Sequence, residues 1–233
     1  MKKTLLAILG TVSILMADDT IISELSALSI IQENQINILK VKDEGNVYLV
    51  KGEPTHVAPG QPKVPLDFYI TKDKKILIMG NAIYTETKHK VSFPIDKNIL
   101  IGKEAFSYGT GSKVVYAFTD PECPYCKQFE KTMATLKDKY TFKIYLFPLP
   151  FHANAIPMSK WVLNAKGSNE MGQRLIALAN GSEEYKKLVL SASEEQRLMD
   201  IINKQKAIAQ EAEIRATPTV LDSDLKAVNW QAL

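Results

Sequence analysis

The run Val114-Val115-Tyr116-Ala117-Phe118-Thr119-Asp120-Pro121-Glu122-Cys123-Pro124-Tyr125-Cys126 joins an apolar segment to a pair of cysteines across a short polar loop. Five apolar residues from Val114 to Phe118, without alternation, fit a strand covered on both faces. A helix is predicted from Cys123 towards Tyr140, with Phe129, Met133 and Leu136 turned inward. Two thiols three residues apart then share one helix face, near enough to close a disulfide with little backbone movement. Cys123 would meet the positive end of the helix dipole, which favours a thiolate. Cys123 is therefore predicted as a solvent-facing nucleophile. Cys126, a turn further in, is predicted as a buried thiol of higher pKa that attacks a mixed disulfide formed on Cys123. Pro124 suits a first helical turn because it has no N–H to leave unpaired. With Tyr125 it would tune the balance between thiolate and disulfide.

Outward from this run, a second strand is predicted over Phe142–Phe147, ending at Pro148-Leu149-Pro150. Ser159 to Gln210 is helical in composition, with breaks expected at Gly167, Gly172 and Gly181. Ala216-Thr217-Pro218-Thr219 follows, and Thr219–Leu221 with Lys226–Val228 reads as a closing hairpin. This order of strand, helix, strand, helical insertion, helix and hairpin is similar to the skeleton of a thioredoxin-type domain, assigned to residues 113–233. Upstream, an amphipathic helix is predicted over Asp19–Leu39. Strands are predicted at Asn46–Val50, Leu66–Ile70 and Ile76–Met79, the last two joined by a turn at Thr71–Lys75. Residues 18–92 thus form a small α+β domain, small enough to gain from burial against a partner. Residues 93–112, with Pro94, Gly102, Gly109 and Gly111, read as a linker with a short helix over Asn98–Phe106.

Lys2 and Lys3, an apolar run from Leu5 to Met16, and Ala17 before Asp18-Asp19 read as a secretory signal peptide over residues 1–17. That run is shorter than the about 20 apolar residues a bilayer span needs. The expected location is a bacterial periplasm. In an oxidising compartment cysteines usually staple small domains. A pair this close in sequence closes only a tiny loop and staples nothing, which points to reactivity. The formal net charge is +3, of which Lys2 and Lys3 supply two, and no basic block exists to favour nucleic acid. No cofactor or metal is expected. A structural zinc needs about four N or S ligands, no other cysteine is present, and His56, His89 and His152 are scattered. Zinc shared between two copies stays open. Asp120 is expected to cap the helix. Glu122 opposes a thiolate in principle and is expected to be a solvated loop charge. Tyr145, Phe147, Phe151 and Trp161 are expected to serve packing, with Phe151 also placed to line a cleft.

Phe118-Thr119-Asp120-Pro121-Glu122-Cys123-Pro124-Tyr125-Cys126-Lys127-Gln128-Phe129 closely resembles the periplasmic disulfide isomerases of the DsbC/DsbG family. Phe68-Tyr69-Ile70-Thr71, with Gly80-Asn81-Ala82, resembles the hairpin of that family's amino-terminal domain. The resemblance implies an α+β protein: a cystatin-like dimerisation domain, a linker, and a thioredoxin-like catalytic domain with a helical insertion. It implies a homodimer whose cleft holds misfolded exported proteins, cysteines kept reduced by a DsbD-type membrane reductase, and a cis bond between Thr217 and Pro218 facing the pair. Thr217 at that place resembles the isomerases more than the DsbA-type oxidases. Ala117 stands where thioredoxin has a buried aspartate, which leaves the proton acceptor for Cys126 unassigned. Leu233 follows Trp230 closely, with little room for the final helix of the fold.

Three functions follow: a disulfide isomerase or reductase acting through a Cys123 mixed disulfide, the same scaffold run as a dithiol oxidase, and a holdase chaperone in which the cysteines are incidental.

Overall fold

The computed structural model describes residues 19–86 and 90–233, which divide between Phe93 and Pro94 into two compact units. The predicted signal segment and His89 lie outside the described residues.

The first unit opens with α1 (Asp19–Ser26) and α2 (Ser29–Glu33). The strands β1 (Ile36–Asp43), β2 (Val47–Pro54), β3 (Leu66–Thr71) and β4 (Leu77–Met79) follow as an antiparallel sheet in that order. The helix predicted over Asp19–Leu39 is therefore two short helices and the head of a strand. The register of β1 against β2 shifts between Ile38 and Lys40, so Ile38 and Val41, three apart, enter the same core. Leu25, Ile31, Val50, Phe68 and Ile70 complete that core. Successive strand residues point to opposite faces, and Leu49 and Tyr69 pack on the other side with Val91 and Phe93. There the Tyr69 hydroxyl donates to the Val91 carbonyl at 3.1 Å.

The second unit contains α3 (Lys97–Leu100), β5 (Phe106–Tyr108), β6 (Lys113–Thr119), α4 (Pro124–Leu136) and β7 (Tyr140–Leu146). It continues with α5 (Ala155–Leu163), α6 (Ser168–Ala179), α7 (Ala192–Glu211) and β8 (Thr219–Leu221), plus 3-10 turns at Glu184–Lys187 and Trp230–Ala232. Its sheet has the order β5-β7-β6-β8; β6 and β7 are parallel, and β5 and β8 are antiparallel to their neighbours. Both faces of β6 are covered. Val115 and Ala117 pack with Phe129 and Met133 of α4, while Tyr116 and Phe118 pack with Ile208 and Ala209 of α7. The unbroken apolar run follows from that double burial.

The segment predicted as a linker is largely part of this unit. Its short helix stops at Leu100, and Phe106–Tyr108 pairs with Phe142–Ile144 as an edge strand. Gly172 lies inside α6 rather than breaking it. A Cβ there would lie 2.0 Å from Cδ2 of Tyr108, so the glycine admits the aromatic ring of β5 against the helix. The predicted closing hairpin is reduced to one bridge, Leu221 to Ala227. The 3-10 turn after it sets Trp230 edge-on to Phe129 at 5.9 Å.

Candidate active site

The cysteine pair sits where β6 hands the chain to α4. Cys123 is the N-cap residue, with φ −63° and ψ 126°, and Pro124 begins the helix. The first turn closes with the Lys127 N–H on the Cys123 carbonyl at 3.0 Å. The Cys123 side chain does not cap the helix. Its thiol instead donates to the Thr217 carbonyl at 3.6 Å. Thr217 precedes Pro218 through a cis peptide bond, and β8 starts at the next residue. That strand lies against β6 through Phe118 and Thr219, so the Thr217 backbone arrives over the start of α4. The coverage leaves Cys123 only 6% exposed, not open to solvent as its sequence position suggested. Tyr125, two residues on, is 66% exposed.

The buried stripe of α4 is Cys126, Phe129, Glu130 and Met133. This spacing is the inward face of an amphipathic helix, and one of its four positions is a carboxylic acid. Cys126 and Glu130 are both fully buried. The Thr119 hydroxyl donates to one Glu130 oxygen at 2.8 Å. The other oxygen, Oε2, has no hydrogen-bond partner. Burial, reinforced by the nearby Asp120, pushes Glu130 up to about 8 despite the Thr119 bond. Burial also drives the Cys126 thiol far above the ordinary thiol range. The Asp120 N–H, which points at its sulfur from 3.4 Å, offsets this only in part.

Asp120 does not cap α4. Its carboxylate accepts the Glu122 N–H at 2.8 Å, the Leu149 N–H at 2.7 Å and a bond from His152 Nδ1 at 2.8 Å. The side chain is fully buried, while that of His152 keeps 18% of its surface exposed. Glu122 is likewise not a loose solvated charge. It accepts the Asn154 backbone N–H at 2.6 Å and the Asn154 amide at 3.0 Å. Burial raises the Glu122 carboxyl, but the Asn154 bonds and the His152 charge outweigh it and hold the group below the usual range. The loop after β7 is thus tied to the loop after β6 by side chains of both. Phe151, expected to be packed, is 75% exposed, with its ring edge-on to that of His152.

Cys123, Pro124, Tyr125, Cys126, Thr217 and Pro218 therefore come together at one end of the second unit's sheet. His152, Asn154 and Glu130 join them without having been singled out by sequence. Glu130 carried a readable signal, an acid on an otherwise apolar helical stripe. His152 carried only a topological one: in a parallel pair the loops that follow both strands emerge at the same edge of the sheet. Among the described residues no group of three or more His, Cys, Asp or Glu side chains is arranged to hold a metal ion. No described helix is long and apolar enough to cross a membrane.

No curated protein sequence matches the chain. Among solved structures, it is similar to the thiol-disulfide exchange protein α-DsbA2 of Wolbachia pipientis, at 14% identity over 55% of this chain and 82% of that one, with a TM-score of 0.42. Helicobacter pylori DsbG aligns at 13% identity over 88% of this chain and all of the other, with a TM-score of 0.41. A compact form of Proteus mirabilis ScsC aligns at 20% identity over 58% of this chain and 72% of that one, with a TM-score of 0.42. A family model described as a thioredoxin-like domain matches residues 107–226, more than half of the chain and all of the cysteine site just described. The chain belongs to the family of thioredoxin-like domains.

Proposed function

We propose that this protein carries out thiol–disulfide exchange on exported proteins, as an isomerase or reductase of wrong disulfides working through Cys123. The observation that carries this reading is the pairing of two unlike thiols on one helical turn. Cys123 lies at the helix start against the Thr217 carbonyl, and Cys126 is sealed behind it beside an acid. A thiolate at Cys123 attacks one sulfur of a substrate disulfide, forming a mixed disulfide and expelling the other sulfur as a thiolate. Two routes complete the reaction. A second substrate thiolate can attack the substrate sulfur of the mixed disulfide, which returns Cys123 and leaves the substrate with a rearranged disulfide. Otherwise Cys126 gives up its proton and attacks the Cys123 sulfur. The substrate leaves as a dithiol, two electrons richer, and the protein is left with a Cys123–Cys126 disulfide.

Glu130 is the group placed to take the Cys126 proton. It is buried on the same face one turn later, with an oxygen to spare. Its ionised form, with proton affinity raised to about 8, is a stronger base than an ordinary carboxylate and so better suited to a buried, high-affinity thiol. It fills the role left open by Ala117. The exposed Tyr125 and Phe151 flank the site with apolar surface, as an unfolded client requires. Periplasmic location, a homodimer formed through the first unit and a DsbD-type membrane reductase that returns the pair to its dithiol form complete the proposal. The location rests on the signal-peptide reading of residues 1–17, and the dimer and the reductase on the resemblance of the cysteine motif and of the first unit's hairpin to the DsbC/DsbG family.

Trapping tests it. Cys126→Ala removes the intramolecular exit and should accumulate mixed disulfides with exported proteins in cells, while Cys123→Ala should accumulate none. Alkylation of freshly extracted protein should find free thiols. A pair found fully oxidised would turn the assignment to the oxidase, and an absence of trapped clients would leave the holdase.

A further inference from the structure

The Asp120–His152 bond ties a group that can gain a proton to the loop that holds both cysteines. Asp120 is the hub of that loop. Its backbone carbonyl accepts the Cys123 N–H at 3.1 Å, its N–H meets the Cys126 sulfur at 3.4 Å, and its carboxylate takes His152 Nδ1. With the imidazole neutral, the Asp120–His152 pair carries one negative charge against the two thiols. With the imidazole protonated, the pair carries none. Asp120 is fully buried, so that difference is poorly screened at the sulfurs. The partial exposure of His152 gives its ring access to protons from water.

The other charged groups here act in known directions. Glu122, on the same loop, is near enough to His152 that the histidine's charge helps hold the Glu122 carboxyl down. Glu130, on α4, is set against Asp120, and Lys127 on the same helix offsets Glu130. The 216–219 segment facing Cys123 brings Ala216, Thr217, Pro218 and Thr219 and no charge. His152 is thus the one group on the β7–α5 loop whose gain of a proton cancels charge beside the nucleophile.

We propose that His152 is a positioning residue for Cys123, acting through Asp120: its protonated form favours the Cys123 anion and extends the reactivity of the site into mildly acidic conditions. This rests on the thiol–disulfide reading and adds to it a regulation by pH that the cysteines alone do not supply. A cation beside a thiol is a general means of holding it as thiolate. Here that cation would be an imidazolium, a charge that pH can add or remove. No proton or electron passes between His152 and substrate. The thiol proton of Cys123 and the proton gained by the ring both exchange with water.

The test is the pH profile of Cys123 alkylation by iodoacetamide in the full reduced chain, with the modified cysteine identified by mass. His152→Asn keeps a neutral amide donor near the Nδ1 position and removes the titration. A single neighbouring charge shifts such an equilibrium by one unit or more, so the variant should react roughly tenfold more slowly at mildly acidic pH. It should converge with the wild type at alkaline pH, where the ring is neutral in any case. Superimposed profiles overturn the proposal, and so does slowing by one constant factor at every pH, the mark of a merely structural contact.

Should His152→Asn fail to fold, the reciprocal effect is measurable by NMR. The His152 ring protons should titrate at a lower pH in Cys123→Ser than in the reduced wild type. Equal midpoints overturn the proposal. Failure of the parent reading looks different: neither wild type nor His152→Asn would then reduce a disulfide substrate at any pH.

Discussion

Glu130→Gln puts the buried acid beneath the cysteines to a direct thermodynamic test. The carboxyl is fully buried, and its proton affinity is raised from an ordinary 4.5 to about 8. Between those values the folded chain binds a proton that the unfolded chain has released, so stability falls as pH rises through the window. The favourable contribution is complete below the unfolded value and is lost as pH climbs through the folded one. Integrated from about pH 5 to about pH 8, the wild type should lose about 3 to 4 kcal/mol relative to a neutral isostere. Gln keeps the shape and an acceptor for the Thr119 hydroxyl, so every other titrating group cancels in the comparison. Both tryptophans, Trp161 and Trp230, lie in the second unit, so their fluorescence in urea follows that unit alone. With slopes of about 1–3 kcal/mol per molar urea, the gap between the two midpoints should change by about 1 M or more across the pH series. Midpoints that fall in parallel would show that the proton affinity of Glu130 is not raised in the native state, and the basicity that fits it to accept the Cys126 proton would go with it.

Two further substitutions test how the second unit is packed and capped. Gly172→Ala places a methyl group 2.0 Å from the Tyr108 ring. It should destabilise the reduced protein by roughly 1–3 kcal/mol in urea, although alanine is the better helix former. Ser191 and Glu194 form a reciprocal capping box at the start of α7. Ser191→Ala should cost about 1 kcal/mol by the same assay and leave the rate of Cys123 alkylation unchanged.

What the sequence carried plainly is the chemistry of neighbours. The run from Val114 to Phe118 announces a doubly covered strand, and Cys123-Pro124-Tyr125-Cys126 announces a helix start bearing two thiols, because strand burial and helix capping are local rules. What it concealed depends on contacts between distant segments. The bulge that brings Ile38 and Val41 of β1 into one core depends on the pairing with β2. The glycine of α6 looked like a break because the ring that needs the space belongs to Tyr108, far away in the chain. The coverage of Cys123 comes from Thr217, 94 residues on. Asp120 looked like a cap because capping is the commonest use of an aspartate just before a helix. The amides that claim its carboxylate include one on the far side of α4 and β7.

The same long-range contacts limit how far three acids oppose the thiolate that the proposed reaction requires. Asp120, Glu122 and Glu130 all lie within a turn or so of the cysteines, and repulsion from three free carboxylates would keep both thiols protonated. Each acid is managed differently. Glu130 is sealed from water, and with its proton affinity raised to about 8 most copies are neutral at pH 7 while a minority stay ionised as a base. Glu122 spends its charge on two donors of Asn154, outside the helix start. Asp120 must stay buried beneath both sulfurs, and it is given three donors, one of them an imidazole. Two of the three carboxylates are therefore held by the loop after β7, not by α4. On the proposed reading, the reactivity of Cys123 depends on two loops at the same edge of the sheet, and loosening the second should silence the cysteine while leaving its helix intact.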